Sequence, residues 1–306
     1  INYDPEFFLL IFLISISQIF NTFIIIESFF LALKKSFPIA IISLISNSIN
    51  IIIKLFILRY YSNAVSLSYC LIVEHLIYSA GLLSYLILYF KKEKINIKFS
   101  FRYARILLSK AKLLTLALPF SAINIRAEIL VLGFFYDSSV IGIYSAAQKI
   151  IQACYLIPSS VLNVYYPNIL KGLGKVNSNY LKKLSLNISI FSLIISLFIF
   201  ASRGIIVEIL LGEDYKNSSA ILSVLSWSLI LVTALLIRKK YLITTNQQSL
   251  VLFYSFTNSI FMIPTLILST HIFGILGTAW GYLLTLSISL FIVPSLIKSK
   301  KWYLFQ

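Results

Sequence analysis

Charge is scarce in this sequence, and acid is scarcer than base. Only 12% of the 306 residues are Asp, Glu, Lys or Arg, and ten of these are acidic. With 59% hydrophobic residues and a mean hydropathy of +0.93, the chain has too little polar surface to cover a soluble domain. Histidine and cysteine occur twice each. His75 and His271 form no metal spacing with each other or with Cys70 and Cys154. Both cysteines lie in apolar runs, so neither a disulfide framework nor a compartment can be read from them, and they read as small buried hydrophobes. A Gly-rich phosphate loop, an HExxH pair, a zinc ribbon and a nucleophile elbow are all missing, so neither an enzyme nor a cofactor is expected. The chain begins at Ile1 and its one methionine is Met262, from which an N-terminally truncated protein is expected.

What the sequence has is long apolar runs. Those of membrane-spanning length, about 17 to 25 residues, fall at 7–33, 37–58, 64–90, 113–136, 140–170, 184–202, 218–237, 249–270 and 274–297. The expected fold is therefore all-α and polytopic, with about nine transmembrane helices. Most of the 26 Lys and Arg residues collect in alternate connections: Lys34 and Lys35, the run from Lys91 to Lys112, Lys171 to Lys183, Arg238 to Lys240, and Lys298 to Lys301. The other connections hold Arg59, Arg203 and Lys216 together with Asp4, Glu6, Asp137, Glu208, Glu213 and Asp214. This segregation follows the positive-inside rule. It assigns the net charge of +16 to membrane orientation rather than to nucleic acid and places the C-terminus in the cytoplasm. Residues 1–90 then carry three spans, 91–112 form a cytoplasmic basic linker, and 113–306 carry six more. The half of the linker from Arg102 to Lys112 mixes leucine with basic residues and suits either the inner leaflet surface or a solvated loop.

Polar residues inside the spans are grouped. Ser43, Asn47, Asn50 and Lys54 share one face of the second span, and Ser145, Lys149, Gln152, Ser160 and Asn163 share one face of the fifth. Such faces either pack on one another or line water. Lys54, Arg126 and Lys149 stand against Glu27, Glu74 and Glu128, a sum of zero, so complete internal pairing is one reading. The other is a wet basic cavity in which Arg126, Lys149, Gln152, Lys54, Asn50 and Asn47 bind an anionic substrate. The planar guanidinium of Arg126 suits phosphate. Arg126 and Glu128, two positions apart on a helix, face nearly opposite ways and do not neutralise each other. Glu74, beside His75, and Glu128 are candidates for ion coupling, with a static counter-ion as the alternative for Glu74. Gly274, Gly277 and Gly281 have the small-residue spacing of close helix packing.

Four stretches carry a family resemblance: ALPFSAINIRAEILVLGFFYDSSVIGIYSAAQKI, YYPNI at Tyr165, ILLGEDYKNSSAILSVLSW at Ile209, and NSIFMIPTLILSTHIFGILGTAWGYLLTLS at Asn258. In this order they resemble the polysaccharide-unit flippases, the O-antigen and capsule repeat-unit exporters of the MATE-like superfamily. The resemblance implies about twelve helices in two six-helix lobes, of which this chain holds the last three of the first lobe and all of the second. It also implies a lipid-linked oligosaccharide substrate, on undecaprenyl pyrophosphate, moved across the bacterial plasma membrane by alternating access. Membrane lipids, a polysaccharide polymerase and a chain-length regulator are the implied partners. Two readings stand beside it: a multidrug or lipid-linked peptidoglycan exporter of the same superfamily, and an integral-membrane polymerase or acyltransferase. A scaffold subunit, with the polar stripes serving only as packing, is a further alternative.

Overall fold

The computed structural model describes residues 5–33, 35–60, 63–94, 100–171 and 178–296, with the backbone alone at 5, 7, 64, 166–171, 178–182 and 296. Asp4, Lys34, Tyr61, Lys98, Lys175, Lys298 to Lys301, Trp302 and Tyr303 lie outside the described residues. All regular structure among the described residues is helical. Eight helical stretches are long and apolar enough to cross a membrane, which makes this an all-α polytopic membrane protein. Its side chains are distributed as a bilayer requires. Phe134, Phe101, Phe37 and Phe12 stand on the surface, while Ser17, Ser192, Ser196, Ser226 and Thr233 are fully buried where helices meet. Lipid offers no penalty for exposed phenylalanine, and small residues let backbones approach.

The chain divides into two compact units, Ile1–Ser100 and Phe101–Gln306. In the first, α1 (Pro5–Asn21) passes through a 3-10 turn, Thr22–Ile24, into α2 (Ile25–Ala32). The helices α3 (Ser36–Tyr60) and α4 (Ala64–Lys92) follow. The side-chain oxygen of Asn63 accepts from the Ser66 amide at 2.8 Å and caps α4. Phe30, Leu82, Ile26 and Ile39 form the core, with Tyr85 and Tyr89 set against Phe30. A Cβ on Gly81 would come within 2.7 Å of the Ile42 side chain, which measures how closely α4 approaches α3.

The second unit begins with α5 (Phe101–Phe135), one helix of 35 residues that includes the basic stretch from Arg102 to Lys112 as its first turns. A short turn at Asp137, whose carbonyl accepts from Val140 and Ile141 at 3.1 and 3.2 Å, leads into α6 (Ser138–Lys171). After α7 (Ser178–Leu211) and a 3-10 turn at Glu213–Tyr215, the seventh apolar run appears as two pieces, α8 (Ser218–Leu225) and α9 (Ser228–Thr244), broken at Ser226 and Trp227. The Ser196 hydroxyl donates to the carbonyl of Ser226 at 2.7 Å, so the break is hydrogen-bonded by a neighbouring helix.

The last apolar stretch, Gln248–Ser295, is 48 residues long and folds back on itself. Within α10 (Gln248–Ser287), Gly274 has φ 66° and ψ −151°, a conformation that only glycine adopts without strain. A Cβ on Gly277 would lie 1.9 Å from the Ser269 carbonyl oxygen, and one on Gly281 would lie 2.1 Å from the Ser269 hydroxyl. Such distances are impossible along a straight helix, so 248–273 and 275–287 pack antiparallel as a hairpin joined without a loop. The Thr270 and Thr278 hydroxyls bond each other at 2.8 Å across it. The hairpin supplies both of the last two spans expected from sequence, which brings eight apolar stretches to nine membrane-length segments among the described residues. A π-helix, Ile288–Ile292, and a final turn, α11 (Val293–Leu296), complete the described chain.

Gly277→Ala should destabilise the protein by about 1 to 3 kcal/mol, because the added methyl meets backbone rather than a movable side chain. Gly142→Ala has nothing within 4 Å of the added carbon and should be neutral or slightly stabilising. Thermal unfolding of the two variants in the same detergent gives the comparison.

Candidate functional site

The second unit has two half-open cavities of about 360 and about 260 Å³. Both are lined by Asn124, Ile125, Tyr155, Val232, Leu235 and Asn258, so they are two compartments of one channel between α5, α6, α9 and α10. One end is marked by Arg126, Gln152 and Tyr282, the other by Arg238, Lys239 and Ser289. The exposed wall area is mainly apolar, although polar and charged side chains are interleaved with the aliphatic ones in both compartments.

Those polar groups are positioned by hydrogen bonds between α5 and α10. Asn124 Nδ2 donates to the Ser255 carbonyl at 3.3 Å, and the Ser259 hydroxyl reaches Asn124 Oδ1 at 3.0 Å and the Phe120 carbonyl at 3.1 Å. The carbonyl face of Asn258 behaves differently. Its Oδ1 is buried and has no hydrogen-bond partner among the described residues, although the residue lines both compartments. A buried amide oxygen in that position is an acceptor waiting for a donor.

Arg126 and Gln152 lie together on the wall of the larger compartment. Arg126 forms no ion pair among the described residues. Glu128, two positions further along α5, lines the same compartment without forming an ion pair with Arg126. It is almost completely buried, accepts a hydrogen bond from Tyr144, and has its second oxygen within 3.3 Å of Gln148 Nε2. Lys149, expected beside Gln152, is exposed and does not line either compartment. On the same face of α6, Asn163 accepts a hydrogen bond from Lys240.

The remaining sequence candidates belong to the first unit. Lys54 pairs with Glu74 at 3.0 Å, and Asn50 donates to the same carboxylate oxygen. The stripe Asn50–Lys54 thus meets a fixed counter-ion on α4. Asn50 Oδ1 is left buried without a partner among the described residues. Asn47 is exposed and, among the described residues, bonds Ser43 of its own helix at 3.4 Å. Glu27 accepts from the Tyr78 hydroxyl at 2.8 Å. Among the described residues, no three His, Cys, Asp or Glu side chains converge in a way that could hold a metal ion.

Sequence reasoning missed Arg238 and Lys239, which charge counting assigns to a connecting loop. They sit inside α9, and Arg238 is turned inward. Its Nη1 donates to the Leu290 carbonyl at 2.8 Å and approaches that of Ser289 at 3.4 Å, and its guanidinium lies 5.7 Å from the centre of the Tyr254 ring. The signal available was helical continuity, since no glycine or proline separates Arg238 from the apolar run before it. Asn124 and Asn258, the other polar wall residues, were present in the apolar runs but carry no charge to draw attention to them.

The first unit's charge cluster behaves as one object, with Lys54 and Glu74 each worth less alone than together. A double-mutant cycle of Lys54→Met and Glu74→Gln, followed by thermal unfolding in detergent, should give a coupling of roughly 0.5 to 3 kcal/mol.

Comparison with known proteins adds the following. No curated protein and no solved structure matches this chain. Residues 2–220 match the family described as polysaccharide biosynthesis protein. That match takes in the whole first unit and the second as far as the start of α8, including Arg126, Glu128 and Gln152. With its polytopic helical fold and a match over well more than half its length, the chain belongs to the polysaccharide biosynthesis protein family.

Proposed function

We propose that this protein translocates an oligosaccharide repeat unit, linked to a polyprenyl pyrophosphate, across the bacterial plasma membrane. The channel of the second unit is exposed to the two membrane faces in turn. The observation that carries this reading is Arg126, a guanidinium on the wall of a membrane-embedded cavity with no carboxylate paired to it among the described residues. A cation without an ion pair in a membrane-spanning helix needs water or a ligand as its partner, and a function that supplies an anion accounts for Arg126, which is exposed on the cavity wall. The unpartnered Asn258 Oδ1 supports a sugar, because a hydroxyl is the donor it lacks. The aliphatic remainder of the wall suits an amphiphile. Translocation makes and breaks no covalent bond, so the reading needs no catalytic group. The positive-inside pattern supports a cytoplasmic position for the Arg238 end of the channel and for the C-terminus. Polymerising and chain-length-determining proteins would then act on the product at the opposite face.

Arg126→Ala should abolish surface polysaccharide in cells that depend on this protein, with membrane insertion unchanged, and Arg126→Lys should retain part of it. Lys149→Ala, altering a cation away from the channel, should export at close to the parental level. Staining of surface polysaccharide, together with the amount of protein in membranes, checks all three. Normal export by Arg126→Ala would overturn the proposal.

A further inference from the structure

Between α5 and the first arm of α10 lies a separate groove that the translocation reading does not use. It is open, about 400 Å³ in volume, and lined by Leu116 and Phe120 of α5 and by Ser249, Leu252, Phe253 and Phe256 of α10. None of these residues lines either compartment of the channel. The hydrogen bonds that join Ser121 and Asn124 to Ser255, and Ser259 to the Phe120 carbonyl, close the seam between groove and channel. Leu116, Phe253 and Phe256 are exposed, so the groove belongs to the lipid-facing surface. Phe120 meets Phe256 edge to face with ring centres 5.1 Å apart, and Phe135 meets His271 at 6.4 Å. The two helices therefore run side by side in the same direction, with Lys112 level with Gln248, where α10 begins.

The face of α5 that forms the groove continues beyond it. Arg102, Arg105, Ser109, Lys112, Leu116 and Phe120 follow one another at steps of three and four residues, which keeps all six on one side of the helix. Leu114 and Ala117, on the other side, pack inward. Arg102, Arg105 and Lys112 are exposed and form no ion pair among the described residues, and the sequence has no acid between Glu93 and Glu128. At 1.5 Å per residue α5 is about 52 Å long against about 30 Å of hydrocarbon, so its first turns stand among the headgroups. The face thus presents cations where phosphates lie and an apolar groove directly beneath them. The N-terminal end of α10, whose amides carry partial positive charge, adds to the same level. We propose that this face binds an anionic phospholipid, with its phosphate at Arg105, Ser109 and Lys112 and one acyl chain in the groove between Phe120 and Phe253. The positive-inside pattern makes the leaflet concerned the cytoplasmic one. The closed seam favours a resident phospholipid over the polyprenyl-linked substrate, whose head would have to reach the channel. The inference stands independently of the translocation reading.

The test is photolabelling of the purified protein in phosphatidylcholine nanodiscs. One preparation contains a trace of phosphatidylglycerol with a diazirine in one acyl chain, and the other contains phosphatidylcholine with the same chain. After illumination, mass spectrometry locates the labelled peptides. Phosphatidylglycerol should label 113–120 and 249–256 roughly fivefold more than phosphatidylcholine, the preference that one basic residue gives at an anionic headgroup. The lipid-facing surface of α7 around Phe191 and Phe198 should show no such preference. Arg105→Gln combined with Lys112→Gln should bring phosphatidylglycerol labelling down to the phosphatidylcholine level. Lys110→Gln, which removes a cation on the Leu114 side of the same helix, should leave the preference intact. Leu116→Trp, filling the groove from an exposed position, should remove the label from 249–256 with either probe. Equal labelling of the groove by the two lipids would overturn the proposal, as would the same preference along α7 or an equal loss in Lys110→Gln. The comparison of the two lipids needs only the parent protein, so it decides the matter even where a variant fails to fold. Displacement of the label by unlabelled phosphatidylglycerol is expected, whereas displacement by polyprenyl phosphate alone would overturn the phospholipid assignment and give the groove to the substrate.

Discussion

Helices in a bilayer gain nothing by hiding phenylalanine from lipid, so what holds this protein together is close backbone approach and hydrogen bonding between helices. Glycine at 277 and 281 lets the two arms of α10 touch, with the Ser269 carbonyl where a Cβ would otherwise be. Ser259 and Asn124 tie α10 to α5, and Ser218 ties α8 to α6 through the Ile143 carbonyl at 2.7 Å. Each of these contacts uses a small or polar residue in a run that is otherwise leucine, isoleucine and phenylalanine. The channel exists because the same polar residues that bind helices together also stop short of filling the space between α5, α6, α9 and α10.

Charge inside the spans is handled in four distinct ways. Lys54 and Glu74 neutralise each other, with Asn50 bonded to the carboxylate. Glu128 has two neutral donors, Tyr144 and Gln148. Arg238 is held by backbone carbonyls. Arg126 borders the larger compartment, as Glu128 does, and forms no ion pair among the described residues. The first three arrangements supply the charged group with protein partners, whereas the last leaves a guanidinium able to engage something that is not protein. This difference in environment, more than the number of charges, separates structural from functional candidates.

Much of the fold was legible because a bilayer imposes length and hydropathy on each span. The close packing at Gly277 and Gly281 was readable from their spacing. Partners across helices were not readable: Asn50 and Lys54 share a face by periodicity, yet nothing in the sequence points that face at Glu74 rather than at water. Lys149 shows the same limit, since its position one turn from Gln152 did not place it on the channel wall. Arg238 was hidden by the very rule that ordered the spans. Counting loop charges treats every cation at a helix end as solvated, and a π-helix that offers it carbonyls leaves no mark in composition.

The loop-free reversal at Gly274 bears on how the protein is made. Its two arms are neighbours in sequence, so they can associate as soon as both have left the ribosome. The bonds from this hairpin to α5, by contrast, join residues 131 to 139 positions apart. Ser121 and Asn124 must therefore wait in the bilayer, their side chains unsatisfied, while most of the second unit is still being synthesised. A temporary partner for α5 during biogenesis, whether an insertase or a shielding lipid headgroup, would cover these groups until the hairpin arrives.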